Sequence, residues 1–325
     1  MPDIKFGLFL PPHDYTAALA AAQKAEAQGF YSVSLNDHFV SQDGTADTPQ
    51  LECFTLLTAI AAQTQRVKIA PSVVAASYRS PALLAKISAT LDHVSGGRLI
   101  FGVGSGWNVA EYRAHGYEFP DAEERLERLE ETLEIVKAMW TQDSPSYTGR
   151  YFHIDAASSQ PRPLQQPGPP IMLGGSSRKL LEIASRHADI VNLIPPTAHG
   201  KDFIKDPDAT VRFDRPRLRK RIELLGHLSE DAGRDPAAIE RSGFVLANIS
   251  EDPNHRVFAR LAERLGFPDL DSARQSPLAL IGTPDQVIEE LTERIAQDGV
   301  TYFIVVATSP ETQELLASEV LPAFA

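Results

Sequence analysis

Cysteine, long apolar runs and positive charge are all in short supply in this chain, and each shortage excludes something. Cys53 is the only cysteine among 325 residues, so an intramolecular disulfide and a multi-thiolate metal centre are both impossible. That usage suits a reducing cytoplasm. No stretch approaches the roughly 20 apolar residues of a membrane-spanning helix, and the opening run Ile4–Leu10 stops at Pro11 after about half a signal-peptide core. The balance of 31 Lys+Arg against 43 Asp+Glu leaves a formal charge of −12. General nucleic-acid or anionic-membrane binding needs clustered positive charge over a broad face, which this balance disfavours. Hydrolytic motifs are missing as well: there is no P-loop, no H-E-x-x-H, no G-x-S-x-G and no closely spaced His/Asp/Glu cluster suited to a metal. The expectation is a soluble cytoplasmic protein that acts on a small molecule, without metal, nucleic acid or membrane.

What is present is an ordinary globular composition, 43% hydrophobic and 23% charged, long enough for two typical domains or one large α/β unit. Short apolar runs alternate with helical patterns. Ile4–Leu10 precedes the alanine-rich segment Ala17–Gln28, closed by Gly29; Ser32–Leu35 precedes a helix near Leu51–Gln63. Val67–Ala70 precedes Pro81–Val94, and Leu99–Val103 precedes the charged helix Ala122–Trp140. The second half continues less regularly. Ile171–Leu173 leads to Arg178–His187, and Ile190–Leu193 leads to a helix near Arg217–Ala232. Phe244–Ile249 leads to Pro253–Leu265 and then a helix about Pro284–Gln297, and Tyr302–Ala307 leads to Glu311–Leu321. Strands alternating with helices of this length imply a parallel sheet, because the crossover helices must cover its faces. Eight units of about 41 residues predict a single α/β domain over residues 1–325, a (β/α)8 TIM barrel of about 250 residues carrying insertions. The insertions are the proline-rich Gln142–Pro170 after the fourth unit and the polar Thr197–Pro216 after the sixth strand, with an extra helix between strands seven and eight. Each insertion reads as a lid or substrate wall, or as surface decoration.

Function in such a barrel sits on the loops that follow the strands. His13, after Pro11-Pro12, either faces the barrel mouth or is merely solvated. Asn36-Asp37-His38-Phe39 sets an acid beside a histidine after the second strand. An imidazole there can hydrogen-bond a developing anion or move a proton, and a neighbouring carboxylate can fix its tautomer. Adjacent strand residues point to opposite faces, so Asp37 and His38 reach one site only where the backbone has left the strand. Pro71 to Pro81 is small and apolar with no charge before Arg79, a wall suited to a flat ring or to packing on its neighbours. In Gly102-Val103-Gly104-Ser105-Gly106-Trp107-Asn108 the third glycine of G-x-G-x-x-G is replaced by Trp107, which disfavours a dinucleotide-binding Rossmann fold. These glycines either admit a ligand close to the backbone or serve barrel packing. Leu173-Gly174-Gly175-Ser176-Ser177 opens a helix, so it is an anion site aided by Arg178 or Lys179, or a plain serine cap. The run Arg212 to Arg221 holds six basic residues in ten positions, either a solvated helix face or a dock for a polyanionic tail.

Taken in order, these segments resemble the bacterial luciferase-like monooxygenase superfamily, (β/α)8 barrels that use FMN or the deazaflavin coenzyme F-420. The resemblance covers nearly the whole chain. It is carried by the loop after strand two, Ser72-Val73 with Tyr78-Arg79-Ser80-Pro81, and Gly102 to Asn108 with Glu111-Tyr112. Further matches are Tyr147 to Phe152, Pro161-Arg162-Pro163, Pro169 to Gly175, Ala188-Asp189 and Ile281-Gly282-Thr283-Pro284. The Asp37-His38 pair is similar to the deazaflavin branch more than to the FMN branch. The resemblance implies that Asp37 contacts the coenzyme and that His38 sits near its hydride-carrying carbon as proton donor or anion stabiliser. It also implies a non-prolyl cis peptide at Ser72–Val73 under one face of the ring, and Gly174, Gly175 and Ser176 on the phosphate. Gly104, Gly106, Trp107 and Asn108 complete the expected coenzyme site. Some deazaflavin-dependent sugar-phosphate dehydrogenases carry a catalytic glutamate where this chain has Trp107, which counts against sugar-phosphate oxidation. The expectation is hydride transfer between F-420 and a small organic substrate by a homodimer. The alternative is an FMN-dependent two-component monooxygenase using dioxygen and a separate reductase, and a non-catalytic flavin-binding barrel stands further off. Cys53 is expected to pack in a helix.

Overall fold

A computed structural model describes residues 3–42, 47–196 and 206–325. Part of the expected insertion Thr197–Pro216, residues 197–205, lies outside the described residues. In chain order the strands are β1 Lys5–Phe9, β2 Ser32–Leu35, β3 Lys68–Pro71, β4 Val74–Ala75, β5 Phe101–Gly104, β6 Tyr147–Thr148, β7 His153–Ile154, β8 Ile171–Gly174, β9 Ile190–Leu193, β10 Glu240–Ile249, β11 Ala279–Gly282 and β12 Tyr302–Ala307. Helices separate most of them, but none lies between β3 and β4 or among β6, β7 and β8. The chain divides into two compact units, one made of residues 10–23 and 34–174, the other of residues 1–9, 24–33 and 175–325.

In the first unit β4, β5 and β8 run parallel, with Val74 opposite Val103 and Phe101 opposite Ile171. The helix Ala122–Thr141 starts on an Asp121 cap that accepts the Glu124 N–H. It buries Leu126, Leu129, Leu133, Val136 and Trp140 at alternating spacings of three and four, one apolar stripe. Trp140 meets Phe101 of β5 edge-on at 5.3 Å. The insertion Gln142–Pro170 contains the antiparallel hairpin β6–β7 and is tied to that helix. Glu131 accepts the backbone N–H groups of Arg150 at 2.6 Å, Tyr151 at 3.1 Å and Phe152 at 2.9 Å, and Glu127 accepts the Tyr151 hydroxyl at 2.6 Å.

In the second unit the parallel order is β9-β10-β12-β1. The long β10 serves two partners on one side, β9 through Glu240–Gly243 and β11 through Leu246–Ile249. The strand β11 corrects the sequence expectation, which placed helix alone between strands seven and eight. Its four residues are all buried, and a short run buried on both faces cannot be told from helix by its period. Phe258, Leu261, Ala262 and Leu265 pack against Leu246 and Ile281 to close this part of the core. The basic run begins the helix Arg215–Asp231 and is partly internal. Arg215 Nε and Arg219 Nε hold the two oxygens of buried Asp298 at 3.0 and 3.2 Å.

Candidate active site

Of the sequence-predicted residues of the first unit, Trp107 meets the ring of His38, which lies just past the end of β2. Its Nδ1 lies 2.7 Å from Glu111 Oε2. Tyr78 donates its hydroxyl to the same oxygen at 3.0 Å, while Glu111 Oε1 accepts the backbone N–H groups of Phe39 at 2.6 Å and Val40 at 3.1 Å. Glu111 is 2% exposed. Burial pushes its carboxyl upward, but the His38 contact and the two backbone donors outweigh this and hold it below the ordinary carboxylate value. Trp107 stands edge-on to the imidazole, ring centroids 5.4 Å apart. The His38 Nε2 has no hydrogen-bond partner among the described residues. Sequence reasoning did not assign Glu111 a role. It is the third residue of the helix Val109–Ala114, whose Asn108 cap accepts the Glu111 N–H at 3.2 Å.

Asp37 lies beside this group with a different set of partners. Arg79 grips its two oxygens at 2.7 and 2.9 Å, and the Ala75 N–H of β4 donates to it at 3.1 Å. Arg79 also donates to Glu52 at 2.5 Å and stands 4.9 Å over the Phe54 ring. Asp37 and its cation thus hold the turn that follows β3. Glu52 is likewise held low, burial raising it less than the Thr55 and Arg79 hydrogen bonds lower it.

In that turn the Ser72–Val73 peptide is cis, as the resemblance implied. The Val73 side chain lies between two glycines, because a Cβ on Gly104 would fall 3.0 Å and one on Gly174 3.1 Å from its methyl. Gly102 has no room for a Cβ against the Pro71 carbonyl, and Gly106, at φ 77°, sits against the Tyr112 hydroxyl. The glycines after the fourth expected strand therefore meet the protein's own atoms. Ser77 hydrogen-bonds the Tyr112 hydroxyl, and burial raises that phenol to about 12. Phe39, Tyr78, His115 and Tyr117 stack nearby, and Phe39 is 38% exposed.

At the start of the second unit's chain segment 175–325, Gly175 takes φ 137° and Ser176 donates its hydroxyl to the Ile194 carbonyl at 2.6 Å. Ser177 caps the helix Arg178–His187, accepting the Leu180 N–H. Both readings of this segment share that geometry, a helix N-terminus capped by a serine. His13 binds the Pro49 carbonyl at 2.7 Å. Cys53 is buried at the start of the helix Cys53–Ala61, its thiol pushed well up by burial and by Asp37 and Glu52. Among the described residues no helix is long and apolar enough to cross a membrane, and no three His, Cys, Asp or Glu are grouped to hold a metal ion.

Residues 4–302 match the luciferase-like monooxygenase family. An FMNH2-dependent dimethylsulfone monooxygenase of Pseudomonas putida is 39% identical over 54% of this chain and 47% of its own length, so the chain spans about half of that relative. An F-420-dependent glucose-6-phosphate dehydrogenase of Amycolatopsis mediterranei is 35% identical over 75% of each chain. Among solved structures, an F-420-dependent secondary alcohol dehydrogenase superposes with a TM-score of 0.79 at 20% identity, covering 99% of both chains. The chain belongs to the luciferase-like monooxygenase family and has the (β/α)8 TIM-barrel fold of that family.

Proposed function

We propose that this protein transfers hydride between coenzyme F-420 and a small organic substrate. The observation that carries the reading is the state of His38: Nδ1 is engaged by a buried carboxylate, Nε2 is unengaged, and an indole stands edge-on to the ring. The residues suit a deazaflavin. Val73 offers an apolar face between Gly104 and Gly174, and the N-terminus of Arg178–His187 after Gly175 and Ser176 offers amides for a phosphate. When bound, F-420 supplies a ring carbon that gives or takes hydride. His38 Nε2 then donates to the substrate oxygen when it is reduced, and accepts its proton in the reverse direction. Trp107 packs edge-on against that imidazole, and Asp37 with Arg79 keeps the turn of β4 in place. The relative from Amycolatopsis mediterranei supports the coenzyme assignment. Trp107, in place of a catalytic glutamate, steers the substrate away from sugar phosphates.

Fluorescence titration of the apoprotein tests the assignment. F-420 should bind at least tenfold more tightly than FMN. A preference for FMN would overturn it in favour of a two-component monooxygenase fed by a separate reductase, the reading favoured by the Pseudomonas putida relative. Binding of neither would leave a barrel without flavin chemistry. We further propose a cytoplasmic homodimer. Leu83 and Val94, 50% and 41% exposed, stand three turns apart on one face of the helix Pro81–Ser95, which suits a second copy.

A further inference from the structure

We propose that Glu111 is the positioning residue of the site, fixing the tautomer of His38 so that Nε2 is the nitrogen presented for proton transfer. The inference rests on reading His38 as the proton-transfer group. Four donors converge on this one carboxylate: His38 Nδ1, the Tyr78 hydroxyl, and the N–H groups of Phe39 and Val40. Hydrogen bonds to the charged form keep a buried carboxylate ionised. An ionised carboxylate only accepts, so His38 Nδ1 must carry its hydrogen, and Nε2 becomes the atom that gains and loses the proton. Glu111 also binds the two residues that follow His38, so the same group that chooses the tautomer holds the backbone from which the imidazole projects. Histidines positioned in this way act through geometry and charge together.

The other charged groups nearby are accounted for. Asp37 is neutralised by Arg79, which in turn meets Glu52, and Trp107 brings no charge. Among the described residues the anion in direct contact with the imidazole is Glu111. Tyr78 competes with His38 for Glu111 Oε2. Replacing the carboxylate by an amide, which can donate to Nδ1, should therefore release the tautomer, and removing the competing hydroxyl should leave it fixed.

Nitrogen-15 NMR of the His38 imidazole, followed across pH in the coenzyme-free protein, tests this independently of turnover. The neutral imidazole of wild-type protein should show Nδ1 protonated and Nε2 bare. Glu111→Gln keeps an oxygen for Phe39 and Val40 but sets an amide N–H donor against Nδ1, so the proton should move to Nε2 in a large share of the molecules. Tyr78→Phe removes only the competing donor and should keep the Nδ1–H tautomer; where Glu111→Gln does not fold, the wild-type tautomer alone decides. The kcat should fall in Glu111→Gln and change little in Tyr78→Phe, with the KM for substrate little changed in either. An Nε2–H tautomer in wild-type protein, or an unchanged Nδ1–H tautomer in Glu111→Gln, overturns the proposal. Failure of wild-type protein to bind F-420 overturns the functional reading instead, because the NMR result does not depend on the coenzyme.

Discussion

His38 is the side chain through which binding and chemistry can be separated. His38→Ala should lower kcat by about 10²- to 10⁴-fold, the usual range for a lost acid–base group, while the Kd for F-420 changes by no more than a few fold. Stopped-flow hydride transfer and the titration measure the two quantities side by side, and an unchanged kcat would remove His38 from the mechanism. The histidine was legible from its place after a strand; its partner was not. Adjacency in sequence offered Asp37 as the carboxylate that orients the ring, but neighbours on extended backbone point apart. Asp37 is committed to Arg79 and the Ala75 N–H, and the carboxylate on His38 comes from 73 positions further along the chain. A faint signal existed. Glu111 is the third residue after an Asn108 cap, where a glutamate commonly folds back to the cap's own N–H. Here it reaches instead to Phe39 and Val40, which only the folded arrangement reveals.

Elements repeat this contrast between local pattern and tertiary context. Ser32–Leu35, Ile190–Leu193, Tyr302–Ala307 and Arg178–His187 have the bounds the sequence suggested, because each has a sharp apolar or amphipathic edge. The two-residue strands of the hairpin β6–β7 were invisible, since their order comes from Glu131 and Glu127 on a separate helix rather than from their own residues. Glycine shows the same division. Gly102 lies where a methyl group would collide with the Pro71 carbonyl, whereas Gly226, inside the helix Arg215–Asp231, has nothing within 4 Å of a Cβ. Gly102→Ala should cost about 1–3 kcal/mol through overpacking. Gly226→Ala should stabilise by about 0.5–1 kcal/mol, through helix propensity and a less free unfolded chain. Urea unfolding of the two variants checks both signs, and a neutral Gly102→Ala would show that β5 can move away from the turn after β3.

For the whole molecule, the formal charge of −12 argues against broad polyanion binding as an expectation, yet it says nothing of where cations are spent. Arg79 serves Asp37 and Glu52, and Arg215 and Arg219 serve Asp298, so some of the scarce positive charge is spent on buried carboxylates. That arrangement sets how stability follows pH. Glu111 and Glu52 both titrate below the ordinary glutamate value of 4.5. A carboxyl depressed in the folded state binds fewer protons than it does in the unfolded chain, so its contribution is complete above about 4.5 and is lost as pH falls through the folded value. Lys5 acts at the other end: burial lowers it, but its contact with Glu240 prevails and raises it above 10.5. Its contribution is present below that ordinary value and is lost as pH rises through the folded one. Unfolding free energy should therefore be level, as far as these groups decide it, from about pH 6 to 9, and should fall on either side. In Glu111→Gln the acid limb should be shallower, because the variant has no carboxyl at that position to protonate. Urea denaturation of both proteins from pH 7 down to pH 3 gives the measurement. The stability gap between them should narrow steadily below pH 4.5, and a gap that stays constant would mean that the Glu111 charge does not stabilise the fold.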